Sequence, residues 1–304
     1  MPALPPAAPR AIDPPAVDAV LRRLARTAQP PWLHAEVARR MAQRLAIVRL
    51  RPQTLVDWGG ALGASTAALA EALPRARRTV VEPTASLAER SRAATRVPWW
   101  RAGLPARRDR VLAAEPGPED ASAQLLWSNM ALHAAVDPPA LLARWQRVLA
   151  VDGFAMFSCL GPGSLAGLRA LYREHGWGEP GAPFVDMHDL GDMLVAAGFA
   201  DPVMDQETLT LTWDSAQALL AELRGLGGNA SPLRLPGLRT PRWRARLLDA
   251  LQSLAGADGR PRLDFEIVYG HAFKAAARAA RGSETVVTLD AMRDRLRQAR
   301  SGVR

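Results

Sequence analysis

The sequence predicts an α/β protein built on a mostly parallel sheet with helices on both faces. Short apolar runs that end in polar or acidic residues alternate with amphipathic helical patterns, as strands and crossover helices do. One run, Thr54-Leu55-Val56-Asp57-Trp58, passes into the glycine-rich turn Gly59-Gly60-Ala61-Leu62-Gly63. Ser65-Thr66 then open an alanine- and leucine-rich helical stretch. The next run closes on a second acid, Glu82, 19 residues beyond Gly63. That is close to the roughly 20-residue spacing at which a strand–turn–helix nucleotide site places its ribose-binding acid. Glycine allows close backbone approach and positive φ. No Gly-Lys-Ser/Thr follows the turn, which argues against a phosphate-cradling NTPase loop.

Composition narrows the class. With 304 residues and 48% hydrophobic content, the chain can bury a sizeable core. No apolar run reaches about 18 residues, so no membrane-spanning helix is expected. Residues 1–16, rich in proline and alanine without an apolar stretch, read as a disordered leader rather than a signal peptide. The single cysteine, Cys159, excludes an internal disulfide or a cysteine metal cluster and suits a reducing cytoplasm. Net charge is +9, and of the 39 basic residues only Lys274 is a lysine. Arginine for lysine beside abundant alanine is what GC-rich coding produces; the other reading is a basic face that steers an acidic partner. No zinc finger, RNP motif or lysine/arginine block speaks for nucleic acid.

In chain order, residues 17–28 and 32–48 read as helices separated by Pro30-Pro31. Val37, Met41, Leu45 and Val48 form the apolar stripe of the second. After the glycine turn, Ser65 or Thr66 is placed to cap a helix running to about Leu73. Residues 78–82 form the second strand. Residues 97–101, with Trp99 and Trp100, are read as the third, and residues 107–110 as a solvated charge run. Residues 124–129 form a buried strand ending in Ser128 and Asn129. Residues 141–149 are helical, and Asp152-Gly153 turn into a strand over 154–159. Helices follow over 165–172 and 188–197, the latter stopped by Gly198. Residues 207–213 alternate threonine with apolar side chains, the period of a half-buried strand. Asp214 is read as the cap of a helix ending at Leu226. A loop over 227–241, a helix over 242–254 and a last strand over 262–273 complete the fold, with a basic tail over 275–304 that is helical from 290 to 300. Ligands in such sheets sit at the carboxyl ends of the strands, where Asp57, Glu82 and Asn129 converge.

Five parallel-type strands, a helical insertion at about 160–200 and two closing strands resemble the Rossmann-like, seven-stranded class I S-adenosylmethionine-dependent methyltransferases. Ser128-Asn129-Met130-Ala131-Leu132-His133 and Arg147-Val148-Leu149 through Asp152-Gly153-Phe154 look like two of that superfamily's segments. Further matches are Gly161-Pro162-Gly163-Ser164-Leu165, the stretch Phe184 to Asp192, Ala197-Gly198-Phe199 and Glu266-Ile267-Val268-Tyr269-Gly270-His271-Ala272. Together they resemble the malonyl-[acyl carrier protein] O-methyltransferase family, over roughly residues 33–274. The resemblance implies methyl transfer from S-adenosylmethionine to the carboxylate of a malonyl thioester on an acidic acyl carrier protein, in biotin precursor synthesis. It further implies that Asp57, Gly59 and Gly63 hold the methionine moiety, that Glu82 holds the ribose, and that Ser128 and Asn129 line the floor below the sulfonium. By family position Arg169 would seat the substrate carboxylate, a task that suits a bidentate guanidinium. His133 and His188 are read as structural, since the carboxylate is already a nucleophile.

The chain departs from the family pattern on one side of that crevice. Ala61 stands where the loop carries its middle glycine, and Leu62 where a small or polar residue is common. No tyrosine occurs in residues 26–31, leaving Trp32 as a substitute cofactor cover. Residues 114–120 lack the usual apolar contacts to adenine. Two readings follow: a working carboxyl methyltransferase, or a chain that keeps the fold and serves as a binding or assembly protein.

Overall fold

The computed structural model describes residues 11–95 and 109–276. The leader over residues 1–10, the strand expected at 97–101 and the helix expected at 290–300 lie outside these residues. The chain divides after Lys274 into the compact unit described below and the segment 275–304.

Among the described residues seven strands form one sheet: β1 (Thr54–Trp58), β2 (Arg77–Glu82), β3 (Arg110–Ala113), β4 (Ala123–Ser128), β5 (Leu149–Leu160), β6 (Ala200–Thr212) and β7 (Arg262–Phe273), in the spatial order β3-β2-β1-β4-β5-β7-β6. The first five pair in parallel, and β7 runs antiparallel to both β5 and β6. The third strand among the described residues is Arg110–Ala113. It is four residues long at an edge of the sheet, and its Val80↔Val111 and Glu82↔Ala113 pairing is what makes the end of the supposed charge run a strand. The strands β1 and β4 read as continuous apolar runs because both faces are covered. The edge strand β6 shows the alternation expected of a half-buried one.

Ten helices among the described residues cover the sheet: α1 (Pro14–Leu24), α2 (Trp32–Leu45), α3 (Gly60–Gly63), α4 (Thr66–Ala72), α5 (Ala85–Ala94), α6 (Pro138–Val148), α7 (Ala166–Glu174), α8 (Met187–Ala196), α9 (Ala216–Leu226) and α10 (Pro241–Gln252). On one face α2, α4, α7, α9 and α10 bury Leu33, Met41, Leu69, Leu171, Leu219 and Leu251 around Trp127 and Phe265. On the other, Leu142 and Trp145 of α6 and Leu190 and Leu194 of α8 pack on Leu126 and Phe157. The helices α7 and α8 fill the insertion between β5 and β6, and a second helical pair, α9–α10, separates β6 from β7.

Local chemistry explains most helix ends and corrects three expectations. The first helix starts at Pro14, because the Asp13 carboxylate accepts from the Ala16 N–H and Pro14 suits the first turn. Structure therefore begins inside the stretch read as leader. Ser65 sits at the start of α4 without capping it; its hydroxyl donates to the Gly63 carbonyl and accepts from the Trp127 indole N–H at 2.8 Å. Ser215, not Asp214, caps α9, while Asp214 pairs with Arg260 at 2.8 Å. Gly198 does end α8: at φ +90° it takes the left-handed position after the last turn, and the Phe199 N–H returns to the Leu194 carbonyl.

Candidate active site

A cavity of about 850 Å³ opens at the carboxyl ends of the parallel strands. Its inner wall holds Trp58 and Gly59 after β1, Glu82 at the end of β2, Met130 and Ala131 after β4, and Leu160 at the end of β5. Gly59 is at φ +78°, and a Cβ there would stand 3.0 Å from the Ala131 Cβ. The position that excludes a side chain most firmly is Gly60, where a Cβ would meet Asp57 Oδ2 at 2.8 Å and Val80 at 2.9 Å. Ala61 follows inside the short helix α3, and its φ is not positive. A methyl group is therefore admitted at the expected middle glycine. Leu62 lines the cavity instead of blocking it.

Glu82 is fully buried yet forms part of that wall. Its Oε1 accepts from the Ala61 N–H and the Ser91 hydroxyl, each at 2.7 Å, whereas Oε2 has no partner among the described residues. Burial pushes its carboxyl up to about 7, against the pull of the Ser91 and Ala61 donors. A buried carboxylate oxygen left unmatched on a cavity wall is an acceptor in search of donors, and vicinal ribose hydroxyls are such donors.

The other residues expected at the site are placed differently. Asp57, Gly63, Ser128 and Asn129 are all buried and stand behind the wall, not on it. Arg78 of β2 grips Asp57 Oδ2 through Nε at 3.0 Å and Nη2 at 2.6 Å and also reaches Asp109 at 2.9 Å and Thr66 at 3.0 Å. Burial pushes the Asp57 carboxyl up while Arg78 holds it down. The Asn129 amide donates to the Gly63 carbonyl at 2.5 Å and the His34 carbonyl at 2.7 Å, and its oxygen accepts from the Ser158 hydroxyl at 2.7 Å. His34 Nδ1 donates to the Leu62 carbonyl at 2.7 Å; burial lowers that imidazole to about 4, so it is neutral near pH 7. Ser128 donates to the Trp58 carbonyl at 3.2 Å. These groups stitch the glycine loop to α2 and β5. Sequence reasoning singled out neither His34, Arg78 nor Ser91. Their partners lie 28, 21 and 9 residues away, at separations no local rule flags.

The cover is also unlike the expectation. Trp32 is 59% exposed and does not line the cavity. The roof is aliphatic instead, from Val17, Val20, Leu21 and Leu24 of α1. The helix α1 is strapped at both ends: the Asp13 N–H donates to the Ala230 carbonyl, Arg234 pairs with Asp13 at 2.7 Å, and Arg90 donates to the Leu24 carbonyl at 2.7 Å. Apolar surface on the Glu82 side of the cavity comes from Trp58, Pro83, Leu87, Ala114 and Leu141. Arg144 holds residues 114–116 by bonding Glu115 and the carbonyls of Ala114 and Pro116.

Arg169 lies one side chain outside the cavity. Its guanidinium sits 5.2 Å from the Phe184 ring, itself a wall residue, and makes two contacts of 3.5 Å to the Ser164 and Ala182 carbonyls. It has no acidic partner within 4 Å among the described residues, and half-burial lowers its pKa. His133, on the wall, packs edge-on against Phe184 at 5.9 Å, and His188 is exposed at the start of α8. No cluster of histidine, cysteine and acidic side chains suited to a metal ion occurs among the described residues.

A seven-stranded sheet with one antiparallel strand, and a glycine loop and a buried acid at its carboxyl ends, is the architecture of a class I S-adenosylmethionine-dependent methyltransferase. The YcgJ protein of Bacillus subtilis superposes with a TM-score of 0.53 at 14% identity, over 78% of this chain and 98% of its own. A Bacillus halodurans protein provisionally assigned as a methyltransferase does so at 0.51 and 15%, over 77% and 97%; at such identities the likeness concerns the fold. No family model matches the chain. Sequence similarity carries further. The malonyl-[acyl-carrier protein] O-methyltransferase of Gallionella capsiferriformans is 37% identical over 259 residues, covering 84% of this chain and 88% of the relative. That of Laribacter hongkongensis is 38% identical over 254 residues, covering 82% and 85%. The chain belongs to the malonyl-[acyl-carrier protein] O-methyltransferase family, and it is an enzyme rather than a bare scaffold of that fold.

Proposed function

We propose that the protein methylates the free carboxylate of a malonyl thioester carried by acyl carrier protein, a step that supplies biotin precursor synthesis in the cytoplasm. The observation that carries the cofactor side of this reading is Glu82 Oε2, buried on the cavity wall and without a partner among the described residues. S-adenosylmethionine, when bound, supplies a methyl group activated by its sulfonium. Glu82 Oε2 would accept from the ribose hydroxyls, the backbone at Gly59 would allow close approach, and Trp58 and Leu87 would offer apolar surface to the base. Asp57, Gly63, Ser128 and Asn129 act indirectly, by fixing the loop that shapes the site. The acceptor carboxylate is already ionised, so no general base is required; the chain has to align the two partners and exclude water. The aliphatic roof of α1 performs the second task. Arg169 seats the carboxylate, exchanging two long backbone contacts for a charge-assisted pair.

Calorimetric titration with S-adenosylhomocysteine tests the cofactor site. Micromolar binding that is lost in Glu82→Ala supports it, and no binding at millimolar ligand overturns it. Methylation of malonyl-acyl carrier protein is then assayed with Arg169→Ala. KM for the malonyl substrate rises, by roughly tenfold or more for a lost charged hydrogen bond, while cofactor affinity holds. Unchanged transfer kinetics would remove Arg169 from the site.

A further inference from the structure

Exposed arginines gather beside the cavity. Between Arg224 and Leu248 the sequence holds six arginines and not one acid. Several arginines elsewhere have acidic partners: Arg39 and Arg40 pair with Glu36, Arg44 with Asp205, Arg78 with Asp57 and Asp109, Arg144 with Glu115. In this stretch only Arg234 has an acidic partner within 4 Å among the described residues, leaving Arg224, Arg239, Arg242, Arg244 and Arg246 unmatched. All five are exposed. Two of them rest near aromatic rings, Arg239 at 4.9 Å from Trp243 and Arg246 at 5.8 Å from Trp177, which orders a guanidinium without neutralising it.

The location gives the patch a use. Arg224, Arg239 and Arg244 line the same cavity as Glu82. They belong to α9, the following loop and α10, the pair inserted between β6 and β7, and so stand at its outer rim. Leu233 and Leu238, 68% and 96% exposed, add apolar surface to the same loop. A thioester substrate borne by a protein must be threaded into the cavity while its carrier stays outside. We infer that the α9–α10 rim is the docking surface for the acidic carrier domain, with Arg242 and Arg246 gripping its carboxylates and the exposed leucines giving apolar contact. Arg242 and Arg246, one helical turn apart, share an edge of α10. Uncompensated charge beside a substrate entrance speeds encounter and fixes orientation, and it does so in a salt-dependent way. The inference rests on the malonyl-carrier reading and adds where the carrier binds.

The test uses the full chain and the double variant Arg242→Glu/Arg246→Glu, two exposed positions outside the cavity wall. Malonyl-acyl carrier protein is compared with a malonyl N-acetylcysteamine thioester, which has no protein to dock. KM for the carrier substrate rises about tenfold or more, and kcat/KM for the small thioester stays within about twofold. Arg242→Lys/Arg246→Lys restores most of the carrier KM. Equal effects on both substrates, or none on either, overturn the inference. Binding of fluorescently labelled acyl carrier protein to the unaltered enzyme at low and high salt separates the two readings. Binding that the glutamate variant loses, without methylation of either thioester, would sink the methyl-transfer reading and keep the docking surface. No binding at low salt would sink the docking surface, even if the small thioester is methylated.

Discussion

At the residue scale, Glu82 links protonation to both stability and ligand affinity. Its folded value of about 7 lies above the ordinary 4.5, so the fold favours the protonated form. The resulting contribution, about 3 kcal/mol from the shift, is fully present below pH 4.5 and is lost as pH rises through 7. Glu82→Gln removes this dependence, and denaturant titrations of the two proteins between pH 4.5 and 8 will diverge accordingly. On the proposed cofactor reading ligand binding has the opposite sign, because ribose hydroxyls would donate to the ionised oxygen. S-adenosylhomocysteine affinity of the unaltered enzyme therefore climbs between pH 6 and 8, by up to about tenfold per unit below the pKa, and is flat in Glu82→Gln. An equal slope in both proteins would show that another group titrates. The spacing to Gly63 pointed to Glu82, which the fold does bring to the cavity wall. Its free oxygen was not legible, because Ser91 and Ala61 had first to be brought to the other one.

At the element scale, the glycine loop is held by a hydrogen-bond relay more than by its glycines. Asn129 joins α2, α3 and β5 at one point, and His34 adds a second tie through Leu62. Asn129→Ala leaves the Gly63 and His34 carbonyls without their donor, a loss of about 1–3 kcal/mol for a buried group. Both urea denaturation and cofactor titration will register it; loss of affinity at unchanged stability would mean that Asn129 contacts the ligand itself. The strand β1 and the turn after it were readable because an apolar run, an acid and glycines coincide within ten residues. The strand β3 was not. Its apolar content is Val111-Leu112-Ala113 beside Arg110, and only the partner strand β2 turns that into an edge strand. The cap of α9 was misassigned by one residue because Asp214 and Ser215 are equally good capping types; the ion pair of Asp214 with Arg260 decides between them.

At the scale of the whole molecule, one sheet separates two cores that share its strands. Leu142 is buried on the α6–α8 side and Leu251 on the α10 side. Replacing either with alanine will cost about 2–5 kcal/mol. Because the strands join both layers, unfolding followed by tryptophan fluorescence and by far-ultraviolet circular dichroism will coincide in each variant. Separate transitions would mean that the layers melt independently. The sequence announced this architecture through its alternation of strands and helices, down to the half-buried edge strand with its threonines outward. It could not announce the roof: α1 covers the cavity because Asp13, Arg234 and Arg90 strap it there from remote positions.

Ala61 carries a consequence for anyone tempted to restore the glycine its position usually holds. The backbone there needs no positive φ, and the side chain does not disturb the bond from its N–H to Glu82. A glycine would keep every contact and enlarge the conformational freedom of the unfolded chain. Ala61→Gly should therefore lower stability by about 0.4–1 kcal/mol, visible as a lower melting temperature. At this position the departure from the motif is a source of stiffness, not a mark of decay.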